Sequence, residues 1–118
     1  MYEYRAIVVS VYDGDTITVD IDLGFGVWKR GEKVRLLGIN SPEVRGESRE
    51  RGIVARDALR AKIGDSAVTL RTKRDKQGKY GRYLAVVVHY EYGPDFPSMA
   101  VNINDWMVEN GFAEVYHP

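Results

Sequence analysis

The first two dozen residues alternate. Ile7, Val9 and Val11 are interleaved with Arg5, Val8 and Ser10 up to Tyr12; after Asp13-Gly14, Ile17, Val19 and Ile21 alternate with Thr16, Thr18, Asp20 and Asp22. A period of two puts successive side chains on opposite faces of an extended chain, so these runs read as half-buried strands. Asp-Gly between two such runs is a hairpin turn, because both residues tolerate positive φ. Gly24, Gly26 and Gly31 then punctuate a longer connection around Trp28. Val34 to Ile39 is a short apolar run broken by Arg35, and Ser41-Pro42 stops it.

The period changes from Ser48 to Ile63. Val54, Ala55, Ala58, Leu59 and Lys62 share one side, Ile63 extends it, and Arg49, Arg56, Asp57 and Arg60 fall elsewhere. This spacing predicts an amphipathic helix with Gly64 as its stop. Ala67 to Thr72 and Tyr83 to Tyr92 return to strand character around a polar hairpin loop, Lys73 to Gly81. Gly93, Pro94 and Pro97 mark a loop. Val101 to Asn110 reads as a second short helix closed by Gly111, and Phe112 to Pro118 as a tail. Three strands, a helix, two strands and a helix suit a five-stranded OB-type barrel within a mainly β, α+β class. A generic α+β sandwich is the alternative.

The 118 residues, 44% hydrophobic and 29% charged, are expected to form a single domain, 1–118, with a core of its own. Disorder and coiled coil do not fit that composition. The chain has no cysteine, which excludes a disulfide scaffold, a cysteine zinc site and a cysteine nucleophile. It has no run of 18 apolar residues, the length of a membrane-crossing helix, so no membrane partner is expected. The N-terminus lacks a leader pattern, so a cytoplasmic location is expected, or secretion with the signal peptide already absent from this chain.

Charge argues in two directions. Seventeen basic and 17 acidic residues give a formal net charge of zero, which by itself opposes a nucleic-acid binder. The distribution is uneven. Arg45 to Lys62 holds six basic residues against three acids, and Arg71 to Arg82 six against one. From Glu91 to the end there are five acids and no Lys or Arg. A basic middle permits local phosphate binding that a net charge conceals.

Three segments carry candidate chemistry. In Asp13-Gly14-Asp15-Thr16, Asp15 shares parity with the inward residues Ile17, Val19 and Ile21. A carboxylate at the inner end of a strand needs a partner or a cation, and hard cations such as calcium take such oxygens. In Arg35-Leu36-Leu37-Gly38-Ile39-Asn40-Ser41-Pro42-Glu43, an arginine inside an apolar strand needs acceptors for five N–H groups, and a phosphate offers them in fork geometry. Glu43 follows a proline at the strand end, where it would project into a cleft. Lys79-Tyr80-Gly81-Arg82 is the third segment. Taken singly, each has a plain reading: a β-turn, a surface ion pair with a turn acid, a charged hairpin tip.

In order and spacing the segments match a family. The chain resembles the staphylococcal nuclease (thermonuclease) family through DGDTI at Asp13 to Ile17, RLLGINSPE at Arg35 to Glu43 and G-x-x-A at Gly52 to Ala55. The match continues with YGR at Tyr80 to Arg82 and N-x-x-M-V-x-x-G-x-A from Asn104 to Ala113. The resemblance implies the five-stranded OB barrel and a calcium-dependent phosphodiesterase acting on DNA and RNA. It implies 5′ P–O cleavage with 3′-phosphate products. By position, Asp15, Asn40 and Ser41 would ligate Ca2+, Glu43 would be the general base, and Arg35 and Arg82 would stabilise the reacting phosphate. Lys79 and Tyr80 would contact a neighbouring phosphate, and Tyr116 would offer a surface on which a base stacks. Val44 to Arg51 falls where the family has a mobile loop, bringing Arg45, Arg49 and Arg51 near the nucleic-acid backbone. Two histidines, His89 and His117, fit neither a metal motif nor a triad and read as structural or solvated.

One position departs from the pattern. The family usually has aspartate where this chain has Asn40, which keeps a carbonyl oxygen and loses a charge. A higher calcium requirement is expected. The acids closest in sequence, Asp13, Asp20 and Asp22, are the candidates to compensate. A monomer is expected. The alternative function is a non-catalytic nucleic-acid-binding module with a weakened metal site; a protein–protein adaptor is a third reading, for which the sequence offers no apolar patch.

Overall fold

A computed structural model describes residues 2–72, 81–93 and 96–117. The elements run β1 (Tyr2–Asp13), β2 (Thr16–Gly24), β3 (Val27–Leu36), β4 (Ile39–Asn40), a 3₁₀ turn (Gly46–Ser48), α1 (Arg49–Ile63), β5 (Ala67–Thr72), β6 (Tyr83–Gly93), β7 (Phe96–Asn102), α2 (Ile103–Glu109) and β8 (Glu114–Val115). The main sheet has the order β3-β2-β1-β5-β6-β7, and β6 also pairs with β3 in parallel, with Arg35 opposite Leu84. Five strands therefore close on themselves in a ring, the expected OB-type arrangement. Ring closure removes the sheet edges that β3 and β6 would otherwise expose.

Three features depart from the pattern read in the sequence. The first is the connection around Trp28, which is short. β2 ends at Gly24 and β3 begins at Val27, so the glycines form a tight turn with positive φ at Gly24, Phe25 and Gly26. Trp28 and Lys29 already lie in the ladder, opposite Asp22 and Ile21.

The second lies before α2, where the residues form a sixth strand. Asn102, Val101 and Ala100 pair with Val88, His89 and Tyr90, so Val101 is extended and the helix starts at Ile103. The cap is Asn102, whose side chain accepts a hydrogen bond from the Asp105 N–H at 3.1 Å. Pro97 is tolerated because β7 is an edge strand.

The third is the face that β1 buries. Ala6, Val8 and Val11 are inside, while Ile7 and Val9 are 40% and 46% exposed. A register shift between Val8 and Ser10 breaks the simple alternation, so Val8 and Val11, three apart, both reach the core.

The barrel interior holds Val8, Ile17, Val19, Val34, Leu36, Leu70 and Val87, all fully buried. Helix α1 adds Leu59 and Ile63, and α2 adds Ile103 and Met107. Each such side chain contributes roughly 1.5–3 kcal/mol from burial. Two glycines allow the site's loops to approach closely. A Cβ on Gly14 would stand 2.7 Å from Ser41 Cβ and 2.9 Å from Ala55 Cβ. A Cβ on Gly52, in the first turns of α1, would overlap the Glu43 carbonyl. Asn104 ties α2 to the barrel: its Nδ2 donates to Leu37 O at 2.8 Å and Ala85 O at 3.1 Å, and its Oδ1 accepts from Val87 N at 3.0 Å. Among the described residues, no helix is long and apolar enough to cross a membrane.

Candidate active site

Asp15 sits at the β1–β2 turn with its carboxylate 5% exposed as a residue, at the inner strand end its parity predicts. Both oxygens are engaged. Oδ1 accepts from Thr16 Oγ1 at 3.0 Å, and Oδ2 accepts from the Ser41 N–H at 2.9 Å. The second bond joins residues 26 apart in sequence and draws the β4 end onto the turn. The turn itself is held by Asp13, whose Oδ1 accepts the Asp15 N–H at 3.0 Å. Burial, and then the negative charge of Asp15 beside it, push the Asp13 carboxyl up to about 6.

Arg35 reaches this carboxylate from β3. Its Nη2 stands 3.5 Å from Asp15 Oδ2 and donates to Asn40 Oδ1 at 3.2 Å. Its Nη1 donates to Leu36 O and Ile39 O at 3.2 and 3.0 Å. The Tyr116 ring lies 5.8 Å from the guanidinium, and the Tyr116 N–H donates to Gly38 O at 2.8 Å, continuing the β4–β8 pairing. The apolar strand therefore supplies backbone and side-chain acceptors for its arginine, and Tyr116 covers the arginine's face.

Asp15, Arg35, Asn40, Ser41 and Tyr116 are thus in one cluster. Glu43 follows within three residues of Asn40 and is exposed; its backbone carbonyl accepts from Ser48 Oγ at 2.9 Å, and its carboxylate makes no hydrogen bond or ion pair with the described residues. Arg82, immediately before β6, lines a cleft of about 340 Å³ with Tyr12, Asp13, Thr16, Thr18 and Lys33. It therefore borders the same cleft as Asp13 and Thr16 of the β1–β2 turn. Lys79 and Tyr80 lie outside the described residues.

The basic loop is partly anchored. Arg45 donates to the Tyr12 hydroxyl at 2.7 Å, and that bond holds its guanidinium above its ordinary value. Arg51 lines a second cleft, of about 330 Å³, with Asn40, Ser41, Pro42 and the segment Gly111 to Glu114. Of the acids expected to compensate for Asn40, two are committed elsewhere. Asp20 pairs with Arg30 at 3.0 Å and accepts the Gly31 N–H, and Asp22 accepts the Gly24 N–H. His89 belongs to a structural network: its Nδ1 is 2.9 Å from Glu91, which also binds Lys62 at 2.9 Å. Burial pushes the Glu91 carboxyl up, and the Lys62 and His89 hydrogen bonds outweigh it, leaving the group below its usual range.

Sequence reasoning missed Thr16 as a partner of Asp15. The signal was a hydroxyl adjacent to a buried acid. It also missed Glu114, which stands opposite Asn40 in the β4–β8 ladder. No local pattern reveals that pairing, because 74 residues separate the two.

Asp15, Asn40 and Ser41 are the residues that could hold a divalent cation. Asp15 Oδ2 and Asn40 Oδ1 both converge on one cationic atom, Arg35 Nη2. Among the described residues no group of three or more His, Asp or Glu side chains forms a metal cluster, so such a site would draw on amide and backbone oxygens beside its carboxylates.

A small closed five-stranded β ring flanked by two helices defines an OB-like domain. The chain belongs to the family described as staphylococcal nuclease homologue, whose model matches residues 33–118. That membership supports a nuclease-type or nucleic-acid-related function. Protein ParB of Escherichia coli is 36% identical over 115 residues, covering 97% of this chain and 58% of its own length. Uncharacterized protein MJ1439 of Methanocaldococcus jannaschii is 26% identical over 134 residues, covering 96% of this chain and 59% of its own length. The chain thus spans under two-thirds of each of these relatives.

Proposed function

We propose that the chain hydrolyses phosphodiester bonds of DNA and RNA in a calcium-dependent reaction that breaks the 5′ P–O bond and leaves a 3′-phosphate. The observation that carries this reading is the convergence of Asp15 Oδ2 and Asn40 Oδ1 on Arg35 Nη2. It puts one carboxylate oxygen and one amide oxygen, both suited to a hard cation, beside a guanidinium of the kind that binds phosphate.

Asp15, the Asn40 amide oxygen and the Ser41 carbonyl would hold Ca2+, which when bound supplies positive charge toward the phosphate oxygens and the attacking water. Glu43 takes the proton of that water as it attacks phosphorus. Its exposed carboxylate makes no hydrogen bond or ion pair with the described residues, although Arg45 is close enough to attract it, and it stays open to solvent and substrate. Arg35 and Arg82 donate to the non-bridging oxygens as negative charge grows on them. The leaving 5′ oxygen takes up a proton and departs as a hydroxyl. Lys79 and Tyr80 contact the neighbouring phosphate, and Tyr116, already over Arg35, offers a face to the adjoining base.

The test uses single-stranded DNA, duplex DNA and RNA, with calcium or a chelator, beside Glu43→Ala. Calcium-dependent cleavage lost in the variant is expected. Binding without cleavage at every calcium concentration would instead favour a non-catalytic nucleic-acid-binding module. One observation points that way: four oxygens of the protein already surround Nη1 and Nη2 of Arg35, so a phosphate would compete with them there.

A further inference from the structure

The charge at the candidate cation site does not balance on the residues named so far. Asp15 carries one negative charge, and the Arg35 guanidinium 3.5 Å away offsets it. Asn40 is neutral. A hard dication held by one neutralised carboxylate, an amide and a backbone carbonyl would bind weakly, because affinity follows the number of charged ligands. Asp13 is engaged by the Asp15 N–H in the turn, and Asp20 and Asp22 by Arg30, Gly31 and Gly24. Glu43 is needed free as the base.

Glu114 stands where the missing charge belongs. In the β4–β8 ladder it is the direct partner of Asn40. Directly paired residues in an antiparallel ladder project to the same face, with Cβ atoms about 4.5–5.5 Å apart. A second relationship fixes which face that is. Tyr116 is two residues further along the same extended segment, so it shares the parity of Glu114, and its ring covers Arg35. The face bearing Glu114 is therefore the face of Arg35 and Asn40. Glu114 also lines the cleft of about 330 Å³ that Asn40 and Ser41 border. It is exposed and has no ion pair with the described residues, although Arg51 lines the same cleft.

We propose that Glu114 supplies the cation site with the second carboxylate that Asn40 does not, across the β4–β8 pair. The charge that one strand lacks is carried by its neighbour. This rests on the calcium reading above, and it adds a residue from outside every segment that suggested that reading.

Calcium alone is titrated calorimetrically into the nucleic-acid-free protein, into Glu114→Gln, and into the double variant Asn40→Asp/Glu114→Gln. Circular dichroism and thermal unfolding accompany each titration. Glu114→Gln is expected to raise the calcium Kd by about tenfold with an unchanged fold. The double variant is expected to return it to within about threefold of the parent, since it moves the carboxylate to the adjoining strand. If Glu114→Gln binds calcium as the parent does, the role of Glu114 is overturned while the calcium reading stands. A double variant that stays as weak as the single one would also overturn it, because the loss would then come from strand pairing and not from charge. If the parent binds no calcium, the cation reading fails and this inference fails with it.

Discussion

Arg35 Nη2 lies 3.5 Å from Asp15 Oδ2, and both side chains are largely buried, at 16% and 8% exposed. The pair joins β3 to the β1–β2 turn at the point where Asn40 and Ser41 also meet. Removing one partner leaves the other's charge without compensation, which costs about 3–5 kcal/mol for a fully buried pair and less here because some solvent reaches Arg35. Arg35→Met is expected to lower the urea unfolding free energy by about 2 kcal/mol. Cleavage should fall by about 10²–10³ in single-turnover assays, since a lost charge-assisted donor acts in the transition state. Arg35→Lys should recover more stability than activity, because an ammonium keeps the charge and loses the fork.

Glu43 should behave in the opposite way. Its carboxylate is exposed and makes no hydrogen bond with the described residues, so Glu43→Gln should unfold within about 0.5 kcal/mol of the parent. Its cleavage rate should drop by about 10²–10⁴, the range for loss of a general base. A variant that retains full activity would remove Glu43 from the mechanism.

Gly52 tests whether Glu43 must be held in place. A Cβ there would overlap the Glu43 carbonyl, so Gly52→Ala must push the Glu43–Val44 backbone away from α1. A cost of about 1–3 kcal/mol is expected, with a loss of cleavage larger than Tm alone explains. Differential scanning calorimetry and initial rates on one preparation separate the two effects.

Asn104 is a fold residue. All three of its hydrogen bonds, to Leu37, Ala85 and Val87, are buried or nearly so. Asn104→Ala orphans backbone groups of the barrel wall and should cost about 2–4 kcal/mol in urea unfolding. Activity per folded molecule should persist if the site keeps its geometry.

Asp13 gives a pH signature. Its carboxyl is raised to about 6 by burial and by Asp15, against about 3.9 in an unfolded chain. The folded state therefore holds the proton more tightly. Its stabilising contribution is full below pH 3.9 and is lost as pH rises through 6. In chelator, Asp13→Asn should gain on the parent by on the order of 1 kcal/mol between pH 4 and 7, after allowance for solvent screening. Denaturant midpoints at the two pH values measure it, and an equal difference at both would refute it.

Much of the architecture was legible because the signals were local. Period-two alternation gave β1 and β2, the change of period gave α1, and Gly64 ended it. Where the reading slipped, a tertiary ladder overrode local preference. Val101 looks like the start of a helix until His89 pairs with it, and Ile7 looks inward until the register shift near Val8 turns it out. At the site, Asp15 and Arg35 stood out as charged residues inside apolar strands and Glu43 as an acid after a proline at a strand end, whereas Asn40 and Ser41 were marked only by the family resemblance.

By itself the sequence determined the order of the five barrel strands and α1, the motif spacing and the odd residue Asn40. The tertiary structure decided which groups meet. A ring closed by the β3–β6 pair, with β8 laid against β4, brings Asp15 to Ser41, Tyr116 to Arg35 and Glu114 to Asn40. Those distances depend on chain closure between residues far apart in sequence, and no local periodicity encodes them.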